Sequence, residues 1–176
     1  KKIINLKTCS KLKILKIRGS NLTRIIIPPT CINLNIAHIS QTPDIVIFVN
    51  KSLKKLELGN FGMNSQIRIN HPIETLTLKN IIFITEMFQS TLDPIPITNL
   101  EYKNTEFVED RDYASIFSRL KPRTLVIEGF IIDKIVKYYS LNPDPFLTSI
   151  QIKTNSDLTI DIKHLQNVPE IKIIGE

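Results

Sequence analysis

The chain has 176 residues, 42% of them hydrophobic and 23% charged, long enough for one sizeable core and too short for two ordinary domains. Leu, Ile, Val and Phe together make 64 residues, which excludes a disordered chain, and no apolar run approaches the ~18 residues that a bilayer span requires. Net charge is +6, with +8 in residues 1–43 and −2 in the remainder, an asymmetry that fits either a solvated lysine-rich face or an anionic partner.

The apolar fraction is lopsided, with 32 Ile and 18 Leu against 6 Val, 2 Ala and no Trp, beside 17 Lys and 14 Asn. Ile, Lys and Asn share AT-rich codons, so an AT-rich genome, of the kind met in eukaryotic parasites, is one expected source of part of the excess. The structural message lies in Ile against Ala: the better strand former dominates and the best helix former is scarce, which predicts more strand than helix.

In chain order, a pattern apolar-x-x-apolar-x-apolar returns eight times, centred on Leu15, Leu34, Leu56, Leu76, Leu100, Leu125, Ile150 and Ile171. The steps between centres are 19, 22, 20, 24, 25, 25 and 21 residues. Each match predicts a short strand whose positions 4 and 6 point inward while positions 5 and 7 point outward. One such strand cannot bury its inner face alone, so the repeats must stack.

Before and between the first four motifs lie further apolar runs at Ile4/Leu6, Ile25/Ile26/Ile27, Ile45/Ile47 and Ile67/Ile69, half a period from the anchors. They predict a second strand on the back of each early coil, bounded by turn signals such as Pro28-Pro29 and Thr42-Pro43. In the second half the intervening segments switch to helical spacing: Ile84/Met87/Phe88/Thr91, Tyr113/Ile116/Phe117/Leu120 and Ile132/Ile135/Val136/Tyr139. Pro94, Pro122 and Pro143 follow as stop signals, and the acids Glu106, Glu109, Asp110 and Asp112 suit the start of the second helix or a binding surface.

The repeat resembles the leucine-rich repeat family, whose signature is L-x-x-L-x-L-x-x-N/C-x-L with a period of 20 to 29 residues. Leu12-Lys-Ile-Leu15-Lys-Ile17-Arg-Gly-Ser20-Asn-Leu22 is the closest match, with Ser20 where the family places Asn. The equivalent positions elsewhere are Ile39, Phe61, Ile81, Thr105, Phe130 and Asn155, so only the last keeps the Asn of the family ladder. The resemblance implies an α/β solenoid of about eight coils, irregular, β-backed in the N-terminal half and helix-backed in the C-terminal half. Residues 1–176 form a single domain in this reading, complete or a fragment of a longer chain.

The resemblance also implies a binding surface on the exposed strand face. Position 5 holds Lys16, Asn35, Glu57, Thr77, Glu101, Val126, Gln151 and Lys172; position 7 holds Arg18, Ala37, Gly59, Lys79, Lys103, Glu128, Lys153 and Ile174. Neither column carries an aromatic ring, so single-stranded nucleic acid loses its main sequence-tolerant contact and a protein partner is favoured over RNA.

No catalytic constellation appears. His38, His71 and His164 belong to no ligand spacing, five Gly form no phosphate-cradling loop, and neither Cys9 nor Cys31 has a paired base. The chain is read as non-catalytic, without cofactor or metal. Cys9 and Cys31, 22 residues apart, are either free thiols or, on adjacent rungs, a disulfide. Two glycosylation sequons stand at the chance level and no signal peptide is visible, so the compartment stays open.

Both ends remain in motif, and solenoids ordinarily carry polar caps. Flanking sequence covers them, or partners do, or the edges stand bare. The second of these gives the rival function, self-assembly into homo-oligomers or head-to-tail polymers through Ile4, Leu6, Ile171 and Ile173. A third reading has the basic N-terminal patch binding RNA or an anionic surface.

Overall fold

The structure, a computed structural model, describes residues 2–18, 22–37, 46–48, 50–60, 66–83, 88–104, 106–107, 116–129, 132–154 and 163–175. In chain order the strands are β1 (Lys2–Asn5), β2 (Ile14–Arg18), β3 (Leu22–Ile26), β4 (Asn33–Ala37), β5 (Val46–Phe48), β6 (Lys55–Gly59), β7 (Gln66–Arg68) and β8 (Ile73–Lys79). There follow β9 (Ile82–Phe83), β10 (Phe88–Gln89), β11 (Ile95–Lys103), β12 (Glu106–Phe107) and β13 (Leu120–Glu128). The helix α1 (Ile132–Leu141), β14 (Ser149–Thr154), a 3-10 turn (Lys163–Leu165) and β15 (Glu170–Gly175) complete the order.

These elements wind into a parallel β-solenoid of about six turns. An eight-stranded front sheet has the order β15-β14-β13-β11-β8-β6-β4-β2, a five-stranded back sheet the order β1-β3-β5-β7-β10, and β12 pairs with β9. Every anchor found by spacing stands beside its successor: Leu15, Leu34, Leu56, Leu76, Leu100, Leu125, Ile150 and Ile171 are register partners in turn. The half-period runs form the back sheet, where Ile4, Ile25, Ile47, Ile67 and Phe88 make one column. Ile45 lies outside the described residues.

The core is the space between these columns. Leu34, Leu56, Leu76, Leu100, Leu125 and Ile150 are each at most 1% exposed, and so are Ile36, Leu58, Leu78, Tyr102, Ile127 and Ile152 at position 6. Burying a side chain of this size contributes roughly 1.5–3 kcal/mol, so each interior rung supplies several kcal/mol toward ordering its own loop.

Three expectations need correction. Eight motifs do not make eight coils, because the first and last front strands bound the stack without each enclosing a further turn. The molecule is not α/β, and its C-terminal half is not backed by three helices. Phe88 lies in β10, paired parallel to Ile67 of β7, where a helix was expected. Strand pairing there covers an edge of β7 that would otherwise expose its backbone, and this outweighs a helical spacing carried by only four residues. The expected second helix is confined, among the described residues, to 116–119, because Leu120 already begins β13.

Pro122 therefore does not stop a helix but sits inside β13, opposite Ile97. It is tolerated because β14 pairs with β13 only from Thr124 onward, leaving one side of that stretch without a strand partner. Of the acids assigned to that helix start, Glu106 lies in β12, and the others fall outside the described residues. The third helix stands as expected: α1 buries Ile132, Ile135, Val136, Tyr138 and Tyr139, and ends just before Pro143. Asn142 closes it by donating both its backbone N–H (2.9 Å) and Nδ2 (3.0 Å) to the Tyr138 carbonyl.

The wider C-terminal turns are filled by aromatic side chains. Phe117 packs against Tyr102 (5.6 Å between ring centroids), Tyr138 (5.2 Å) and Tyr139 (6.0 Å). Beside them the Asp144 carboxylate is buried, its Oδ2 lying 3.1 Å from Lys121 Nζ while Oδ1 accepts the Phe146 N–H at 2.9 Å.

The turn that leaves the front sheet is a repeated left-handed corner. Asn60, Asn80 and Asn104 adopt positive φ (54°, 49° and 47°), and Gly129 does so at 97°. All four occupy position 8, one residue before the expected ladder Asn. The N–H of Asn60, Asn80 and Asn104 donates to the carbonyl of Lys79, Lys103 and Glu128 on the next rung, at 3.0, 2.9 and 2.9 Å. The left-handed corner admits Asn or Gly far more readily than a branched side chain, and the Ile81 that follows Asn80 is buried at 1% exposure.

Candidate interaction face

Strand alternation places positions 3, 5 and 7 on the outer surface of the front sheet. Position 5 runs Lys16, Asn35, Glu57, Thr77, Glu101, Val126, Gln151 and Lys172 as neighbouring register partners, and position 7 runs Arg18, Ala37, Gly59, Lys79, Lys103, Glu128, Lys153 and Ile174 likewise. Every residue assigned to the binding surface by sequence is thus brought onto one sheet. Their exposure differs: Lys16, Arg18 and Lys79 are exposed, whereas Asn35, Glu57, Thr77, Glu101, Lys103, Glu128, Gln151 and Lys153 are half-buried.

Neighbouring rungs are joined across this face. Asn35 Nδ2 donates to Glu57 Oε2 at 2.7 Å, and Thr77 Oγ1 donates to Glu101 Oε2 at 3.3 Å. Lys103 Nζ lies 3.4 Å from the same Glu101 oxygen. Glu57 and Glu101 are therefore already engaged, and the exposed cations of the face include Lys16, Arg18 and Lys79. At the far end the Lys172 ammonium, 2.9 Å from Glu170 Oε1, holds the Glu170 carboxyl below the usual carboxylate range.

A depression of about 330 Å³ opens between β2 and β8. It lies over the strand segments that carry the buried Leu34 and Leu56, with Ile14, Lys16, Lys55 and Glu57 among its walls and Asn33, Asn35, Thr75 and Thr77 completing it. Short Asn and Thr side chains stand there beside long Lys side chains, which creates the relief. Asn33, Lys55 and Thr75 occupy position 3, which the sequence reading passed over; the signal was the period-2 alternation extended one step toward the N-terminus of each strand.

The residues assigned to terminal assembly fall on two different sheets. Ile4 is half-buried in β1, at the edge of the back sheet, and Leu6 follows it, donating its N–H to the Ile26 carbonyl at 3.0 Å. Ile171 is half-buried and Ile173 is 53% exposed on β15, at the edge of the front sheet.

Away from the face, Cys9 is half-buried, Cys31 is buried and both thiols are free. Burial raises the Cys31 thiol pKa, which keeps it protonated. His71 is buried as well, and desolvation pushes its imidazole below the usual histidine range, so it is neutral near pH 7. Among the described residues no group of three or more His, Cys, Asp or Glu is placed to hold a metal ion, and no helix is long and apolar enough to cross a membrane. No family model, curated protein or solved structure matches this chain.

Proposed function

We propose that this chain is a non-catalytic interaction module, a divergent relative of leucine-rich repeat proteins, which binds a protein partner through the outer surface of its front sheet. The observation that carries this reading is the register-locked array of polar and charged side chains at positions 5 and 7, with a depression beside it at β2–β8. Kinship with the leucine-rich repeats is supported by eight motifs in phase and by the Asn-rich corner one position from the family's ladder residue.

A stacked array of this kind holds its side chains at fixed spacing before the partner arrives, so little ordering is needed on binding. Charge reversal of Lys79, Lys103 and Lys153 together is expected to weaken a partner recovered from the native source by at least about tenfold, since each contact to a charged group contributes roughly 1.5–3 kcal/mol when desolvated. Unchanged affinity, measured by calorimetry on the purified pair, would remove this surface from the proposal.

A second reading, self-assembly through the terminal strands, is favoured by Ile173, a core-phase residue that is 53% exposed on the edge strand β15. It predicts concentration-dependent oligomers that Ile171→Lys or Ile173→Lys abolishes. Among the described residues the back sheet ends at β10, so a second copy docked head to tail would continue the front sheet there.

A further inference from the structure

A groove of about 730 Å³ runs along the lateral edge where the chain enters the front sheet, and it is distinct from the strand face. Its geometry begins with a repeated bulge. The N–H groups of Ile32 and Asn33 both donate to the Lys13 carbonyl, at 2.9 and 3.1 Å, and those of Lys54 and Lys55 both donate to the Ile32 carbonyl, at 2.8 and 3.0 Å. Two consecutive amides sharing one acceptor insert an extra outward residue before the regular strand. That residue, position 2, is turned off the front face toward the side of the solenoid.

Position 2 on successive rungs reads Lys54, Glu74, Thr98 and Arg123, all exposed and all lining the groove. Lys51 adds a further exposed cation, and Glu74 is the single acid among the lining residues. No ion pair among the described residues takes up Lys51, Lys54 or Arg123. The floor is apolar: its accessible surface is given by exposed Pro72 and Pro96 and half-buried Ile32, above the buried side chains of Leu53, Ile73 and Ile97. The prolines carry no N–H, so a ligand is held there by side chains and not by strand addition.

We propose that this groove is a second binding site, which takes an extended acidic peptide segment laid along the solenoid axis. An apolar floor beneath cationic rims does not suit a bare polyanion, whose charges would lie over hydrocarbon, and the lining offers no aromatic ring to stack a base. An extended peptide turns alternate side chains to opposite sides, apolar ones to the floor and acids to the rim. Lys54 and Arg123 are three rungs apart, about 14 Å at ~4.8 Å per rung, close to the ~13 Å spanned by four residues of extended chain. The groove therefore selects acids four residues apart, with an uncharged residue midway, opposite Glu74 and Thr98.

The test is fluorescence anisotropy of the intact chain with a labelled peptide carrying Glu-Val-Thr-Val-Glu. Saturable binding is expected, weakened at least about tenfold in the Lys54→Glu, Arg123→Glu double variant by the loss of two charge-assisted contacts. Both positions are exposed, and an unchanged circular dichroism spectrum keeps folding out of the comparison. Placing Glu at the middle position should weaken binding, because it faces Glu74. The triple reversal of Lys79, Lys103 and Lys153 should leave peptide affinity within about twofold, since rim charges on another face act only through the screened long-range field. The inference is overturned if the peptide fails to bind, if the double variant binds it equally well, or if oligouridylate or oligoglutamate binds as tightly at the same salt concentration. Loss of binding in the triple variant alone would place the peptide on the strand face, which defeats the groove and leaves the front-sheet proposal standing.

Discussion

Asn60, Asn80, Asn104 and Gly129 are four residues doing one task, turning the chain left-handed at the exit of a front strand. Gly129 is the most constrained: a Cβ added to it would stand 2.5 Å from Asn104 Oδ1 and 3.2 Å from Asn104 Cα, at a φ of 97°. Gly129→Ala is expected to lower stability by about 1–3 kcal/mol through strain and displacement of Asn104, measured as a drop in Tm. Tyr139 makes a separate residue-scale case. Its hydroxyl is buried without a hydrogen-bond partner among the described residues, and burial, reinforced by Asp144 and Tyr138, raises its pKa far above the tyrosine range. Below pH ~10 both folded and unfolded chains carry it neutral; above that value the unfolded chain alone loses the proton, so stability falls as pH rises. Tyr139→Phe is expected to flatten this alkaline loss by up to about 1.4 kcal/mol per pH unit, read from urea unfolding at successive pH values.

At the scale of elements, period and burial decide what local spacing leaves open. The segment containing Phe88 and the segment containing Ile132 both carry helical spacing, yet one joins a sheet and the other forms α1. Phe88 lies half a period after β8, level with β7, whose edge accepts a further parallel strand; Ile132 begins beyond the back sheet, where the aromatic cluster gives a helix something to cover. The loop after α1 is held by Asp144, whose side chain is 1% exposed beside a Lys121 that is 28% exposed. Asp144→Ala is expected to cost about 1–3 kcal/mol, because the Phe146 N–H loses its acceptor and the Lys121 ammonium its partner. Lys121→Met should cost less, as the methionine stem keeps the packing, so the order of the two urea midpoints checks the assignment.

For the whole molecule, position along the stack sets what the same residue type is worth. Ile152 and Ile173 are register partners at position 6, one fully buried and the other 53% exposed. Ile152→Lys is expected to prevent folding, since it drives an ammonium between rungs at a cost of several kcal/mol. Ile173→Lys should leave the monomer's circular dichroism spectrum intact and change only association, measured by sedimentation. A monomer that unfolds with Ile173→Lys would show that β15 is integral to the stack and not an open edge.

Much of this architecture was legible in the residues themselves. The eight anchors, their neighbours at positions 5 and 7, and the early back strands followed from periodicity, because a strand that buries alternate residues must repeat them and parallel stacking leaves the register little freedom. The Asn corner was equally present, one position from where the family pattern directed attention. What only the tertiary structure decided was the fate of segments whose spacing served two periods: the short run at Phe88, the helix cut short at Leu120, and the bulge that turns Lys54 onto a separate edge. In each case the deciding energy lies in a neighbouring rung some 20 residues away, an open edge or a carbonyl accepting two amides, which local spacing does not contain.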